Sequence, residues 1–143
     1  MDFKSFKVSY SVDERYGKRV AYFSMEFAIH QPLKIYSGGL GFLAGSHMRS
    51  AYELRQNLVG IGILWKYGYY DQARNQDQTL QVTWMEKQYS FLEDTGIKFE
   101  ITVHEHPVWV KVMYLPPDTF YSAPMFLMTT DIPENDYVSQ TIT

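Results

Sequence analysis

Apolar and polar positions follow one period up to about residue 95 and another beyond it. Val20-Ala21-Tyr22-Phe23-Ser24-Met25-Glu26-Phe27 is nearly continuously apolar and follows the turn-like Tyr16-Gly17-Lys18-Arg19. Such a run predicts a buried strand of a parallel sheet. Residues 28 to 36 hold Pro32 and are expected to be loop. From Phe42 to Gln56 the positions Leu43, Ala44, His47/Met48, Ala51, Tyr52 and Leu54 recur at helical spacing. Leu58 to Trp65 reads as a second buried strand, in which Gly60 and Gly62 imply close approach by a neighbour. Strand, helix, strand makes a βαβ unit, with an expected right-handed crossover.

Residues 73 to 81 are polar and turn-like. Val82 to Glu93, with Trp84, Met85, Tyr89 and Leu92, reads as a short helix or as an irregular segment. After Gly96 the period becomes two: Ile97, Phe99, Ile101 and Val103 alternate with Lys98, Glu100, Thr102 and His104. Pro107 marks a turn, Val108 to Tyr114 a second strand, and Ala123 to Thr130 a third. The expected fold class is α/β. A βαβ unit over about residues 18–95 carries an appended antiparallel β-meander over about residues 96–136. At the N-terminus, Phe3, Phe6 and Val8 are candidates to dock on a neighbouring surface.

Composition changes this picture little. At 143 residues the chain is one domain or a piece of a larger one, and 45% hydrophobic residues suit a globular core. A net charge of -3 without a basic block argues against nucleic acid. The absence of cysteine excludes disulfides and thiolate metal sites. The first residues lack a long apolar h-region and no run approaches a membrane span, so a cytoplasmic protein is expected. The twelve tyrosines fit a packed core and sheet, or a surface that stacks on sugars.

The candidate chemistry centres on Ser37-Gly38-Gly39-Leu40-Gly41-Phe42-Leu43-Ala44-Gly45. A glycine loop between a strand and a helix presents backbone N–H groups to an anion. Its spacing is neither the dinucleotide G-x-G-x-x-G nor a phosphate-binding loop ending in Gly-Lys-Ser/Thr. Glu26, at the carboxyl end of the first strand, either satisfies loop N–H groups or contacts a ligand. His30 is a loop histidine with no partner in the sequence. Lys66 to Gln72 follows the second strand on the edge of the glycine loop, as ligand contact or wall. His104-Glu105-His106 is either a metal pair or a solvated hairpin corner, and without a third ligand the corner is preferred.

As a pattern the chain is more specific. Ser24-Met25-Glu26-Phe27, His30, Tyr36-Ser37-Gly38-Gly39-Leu40-Gly41, Leu43-Ala44-Gly45, His47 and Leu58-Val59-Gly60-Ile61-Gly62 resemble the N-terminal part of the α-glucan (glycogen/maltodextrin) phosphorylases, most closely the short bacterial type. Tyr67-Gly68-Tyr69 with Gln72, and Thr130-Asp131-Ile132-Pro133-Glu134-Asn135-Asp136, add to the likeness, which runs from about residue 18 to the end. The resemblance implies a Rossmann-like N-terminal domain of a two-domain glycosyltransferase. That enzyme would use pyridoxal phosphate on a lysine of its C-terminal domain and phosphorolyse α-1,4-glucan to glucose 1-phosphate. It also implies that Gly38, Gly39 and Leu40 border the phosphate site, supported by Glu26, His30, Ser37 and Gly41. Ser46, Trp65-Lys66 and Ala28 depart from the family pattern, which has an acidic residue, a Tyr-Arg pair and a glycine there.

Two other readings compete. One is a nucleotide-sugar transferase of the glycogen/starch synthase kind, which usually has a lysine where Tyr36 stands. The other is a noncatalytic carbohydrate-binding module. In the phosphorylase reading the chain is an N-terminal fragment, inactive alone. It lacks its C-terminal domain and cofactor, and its open strand edges favour a homo-oligomer.

Overall fold

A computed structural model describes residues 5–143; Phe3 lies outside the described residues. The chain runs β1 (Val20–Phe23), α1 (Gly39–Glu53), β2 (Leu58–Ile63), β3 (Asp71–Arg74), β4 (Leu80–Thr83), β5 (Glu93–Val103), β6 (His106–Leu115), α2 (Pro117–Phe120), β7 (Met125–Thr129) and α3 (Tyr137–Gln140). Five strands form one mixed sheet in the order β1-β2-β7-β6-β5, and β3 and β4 pair separately. β1, β2 and β7 are mutually parallel in sequence of neighbours, while β6 runs antiparallel to both β7 and β5.

The parallel β1–α1–β2 arrangement matches the expected βαβ unit, and the second half is the expected meander. The meander is continuous with the βαβ unit, because β7 adds directly to β2 with Gly60 opposite Met125. Phe6 reaches the sheet, packing edge-on against Tyr114 and Phe126.

α1 covers one face of the sheet with Ala44, Met48 and Ala51, all buried. The strand glycines make this possible. A Cβ on Gly60 would stand 2.6 Å from the Met48 methyl, and one on Gly62 2.7 Å from the Phe27 ring. The core closes with Ile29, Leu33 and Ile35 from the 28–36 loop and Leu115, Met125 and Leu127 from β6 and β7.

Two elements differ from expectation. β1 ends at Phe23 instead of Phe27, since Ser24 to Ala28 turns to clasp α1: the Ala28 N–H donates to the Gly41 carbonyl at 2.8 Å. α1 begins at Gly39 instead of Phe42, because glycines of low helix propensity fill its first turn and hide it from periodicity. Its end is set by Arg55 at φ 54°. Residues 82 to 93 take the irregular one of their two expected forms. Val82 belongs to β4, Trp84 and Met85 face solvent, and of the named residues Leu92 alone is buried, so their spacing does not mark one buried face. The polar residues 73 to 81 are largely hairpin, with Asp77 accepting from the Thr79 N–H at 3.0 Å in its turn.

Candidate functional site at the glycine loop

The three parallel strands end on one edge of the sheet, where ligand crevices form in such folds. The glycine loop sits there. Gly38 is the N-cap of α1 with φ 71° and ψ -156°, a region essentially reserved for glycine. No side chain caps the helix, so its first N–H groups and positive dipole end are left to the surroundings. A Cβ on Gly38 or Gly39 would meet nothing within 4 Å, whereas one on Gly41 would strike the Tyr36 Cβ at 2.6 Å. One on Gly45 would lie 2.1 Å from the Ala28 carbonyl oxygen. The four glycines therefore divide. Gly41 and Gly45 let α1 pack against its own approach loop, while Gly38 and Gly39 leave their backbone open.

Glu26 sits beneath this opening. Its carboxylate accepts the Ser37 N–H at 3.0 Å and the Ser37 hydroxyl at 3.3 Å. Of the two roles open to it, satisfying loop N–H groups is the one its geometry displays. Ser24 steadies the turn, its hydroxyl donating to the Glu26 carbonyl at 2.9 Å.

Beside Gly38 lies a cleft of about 300 Å³ lined by Gln31, Lys34, Tyr36, Ser37, Tyr69 and Asp71. Asp71, from β3, is held by the Lys34 and Lys87 ammonium groups. These cations, Lys34 first, pull its pKa below the usual carboxylate value. The loop after β2 closes the cleft because Gly68, at φ 60°, lets it press onto the Lys34 carbonyl. Leu40, Phe42 and Leu43 are more than half exposed on the outer side of α1.

Sequence reasoning missed the braces on this edge. The Trp65 indole N–H donates to the Met25 carbonyl at 2.9 Å, tying the end of β2 to that of β1. The Lys66 ammonium donates to Asp131 at 2.9 Å, tying β2 to the end of β7. In the 130–136 motif, buried Asn135 accepts the Trp109 N–H at 2.8 Å and donates to the Thr130 and Trp109 carbonyls at 2.7 Å. Lys66 and the 130–136 motif stand out in the sequence, but nothing local there signals that they brace the strand ends.

His30 stacks on Phe120 with centroids 4.7 Å apart, away from the Gly38 cleft. His104 sits in the β5–β6 turn and His106 pairs with Asp136 at 2.7 Å. Among the described residues no group of three His, Cys, Asp or Glu could hold a metal, and no helix is long and apolar enough to cross a membrane. Another groove, of about 580 Å³, borders Val20, Ala21 and Asn57 at the opposite ends of β1 and β2.

No protein-family model matches the chain. Individual relatives do. The chain is 56% identical over 126 residues to an uncharacterized protein of Methanocaldococcus jannaschii, covering 88% of this chain and 24% of that protein. It is 32% identical over 136 residues to the glycogen phosphorylase of Mycobacterium tuberculosis, covering 87% of this chain and 15% of the enzyme. With the maltodextrin phosphorylase of Thermococcus litoralis it shares 29% over 136 residues, covering 90% and 16%. The chain thus spans a quarter or less of the length of these relatives. Nearly the whole sequence, glycine loop included, is related to a segment of the α-glucan (glycogen/maltodextrin) phosphorylases.

Proposed function

We propose that this chain carries the glycine-loop wall of a glycosyltransferase site that phosphorolyses α-1,4-glucan to glucose 1-phosphate. The observation that carries this reading is the open backbone at Gly38 and Gly39, on the uncapped N-terminus of a 15-residue helix. In the proposed site their N–H groups face the phosphate, and the exposed Leu40 borders the glucosyl unit. Fixed donors of this kind position the anion and stabilise charge that develops on it. Glu26 acts through Ser37, holding Gly38 in its strained conformation without touching ligand. Gly41 sets the depth of the helix against Tyr36. The named relatives are phosphorylases, which favours this reading over a nucleotide-sugar transferase.

The full-length phosphorylases imply pyridoxal phosphate, and we assign the lysine that would hold it to another part of the longer protein. Lys34, Lys66, Lys87, Lys98 and Lys111 are each engaged with a carboxylate. In this reading, the cofactor lysine and the acid–base groups belong to residues outside these 143, in a longer two-domain protein whose N-terminal, Rossmann-like part this segment forms. The purified chain, given maltoheptaose, phosphate and pyridoxal phosphate, is expected to release no glucose 1-phosphate. Its steady formation would show that the chain holds the whole site and overturn this division of labour.

A further inference from the structure

A second cleft, of about 340 Å³, opens between residues 28–31 and the outer side of α1. Phe42, Ser46 and Arg49 stand at i, i+4 and i+7, so one stripe of the helix faces His30 and Gln31 across it. Arg49 is the unusual member. Arg15, Lys34, Lys66, Lys87, Lys98 and Lys111 all lie within ion-pair distance of a carboxylate. Among the remaining described lysines and arginines, Arg49 alone is half-buried; the others are exposed. Its guanidinium donates to the Ile29 carbonyl. That bond engages one of five N–H donors.

A partly desolvated cation without a countercharge is costly, and an incoming anion relieves that cost. Around it the Ser46 hydroxyl, the Gln31 amide and the His30 imidazole edge supply further donors. The stack on Phe120, with planes 4° apart, fixes the imidazole ring. Guanidinium forks match the oxygens of phosphate, and several converging donors suit a tetrahedral anion better than a planar one.

We propose that this cleft is a binding site for a phosphate-bearing ligand, held by Arg49 with Ser46, Gln31 and His30. It adjoins the Gly38 cleft, and Tyr36 and Gln31 line both. The proposal stands whether or not the glycine loop binds phosphate.

The test is a titration of the ¹⁵N-labelled full chain with inorganic phosphate at constant ionic strength, following the Arg49 side-chain Nε–H and the Ser46 amide. Saturable shifts at both are expected. Arg49→Gln should weaken the binding read at the Ser46 amide by about tenfold or more, and Arg49→Lys by less. Gly39→Ala should leave them unchanged, which separates this cleft from the glycine loop. Three results would overturn the proposal: no saturable shift, an equal response to acetate, or shifts that persist in a folded Arg49→Gln protein. If Arg49→Gln does not fold, the Arg49→Lys protein and the acetate comparison still decide.

Discussion

At the scale of residues, the glycines of the loop have separable jobs, and substitution can tell them apart. Gly38→Ala forces a side chain into a glycine-only conformation and should cost about 1–3 kcal/mol in denaturant unfolding. Gly45→Ala drives a methyl into the Ala28 carbonyl and should cost about as much. Gly39→Ala meets open space in a helical first turn, so stability should hold or rise by up to ~1 kcal/mol. If Gly39→Ala unfolds the chain as readily as Gly45→Ala, the backbone there is not open. Glu26 offers a second check. Glu26→Ala should speed hydrogen exchange at the Ser37 amide by about tenfold, as expected for one lost charge-assisted bond, and Glu26→Gln by less. The glycines, Glu26 and Ser37 were visible in the sequence. Which glycine faces a ligand and which faces a neighbour was not, because that depends on Tyr36 and Ala28 folding back against the helix.

At the scale of elements, two local features carry predictions. The two-residue turn between β5 and β6 places His104 at φ 47° and Glu105 at φ 65°. Type I′ turns of this shape prefer Asn-Gly, so Glu105→Gly should stabilise the chain by about 1 kcal/mol, read as a higher unfolding midpoint. No change would mean that the turn is not strained. The β3–β4 hairpin is fastened through Asp71 to Lys34 and Lys87. The folded-state pKa of Asp71 is lowered, so its contribution is present above the ordinary carboxylate pKa and is lost as pH falls through the folded value. Hairpin amide protection should therefore drop in acid before the core unfolds, and Asp71→Asn should remove that step. Helix and strands of period 3.6 and 2 could be read directly. The hairpin could not, because its strands are largely exposed on both faces and leave no alternation.

At the scale of the whole molecule, β1 stands at one end of the described sheet, and Phe23, Met25, Leu40 and Leu43 are exposed around its end and on the neighbouring helix. An open strand beside apolar side chains invites pairing. Light scattering should show concentration-dependent association, and a monomer across the micromolar range would count against it. Both halves of the fold were legible from their periods. Their union into one sheet was not, since nothing local in Met125 to Thr129 announces β2 as its parallel neighbour.

Ligand binding at the glycine loop is read from the backbone amides of Ser37, Gly38, Gly39 and Leu40 as glucose 1-phosphate is added at millimolar concentration. Weak, saturable shifts are expected at these four amides, and they are lost in the folded Gly39→Ala chain. Amides that stay still, or shifts that Gly39→Ala leaves intact, would contradict binding at the loop.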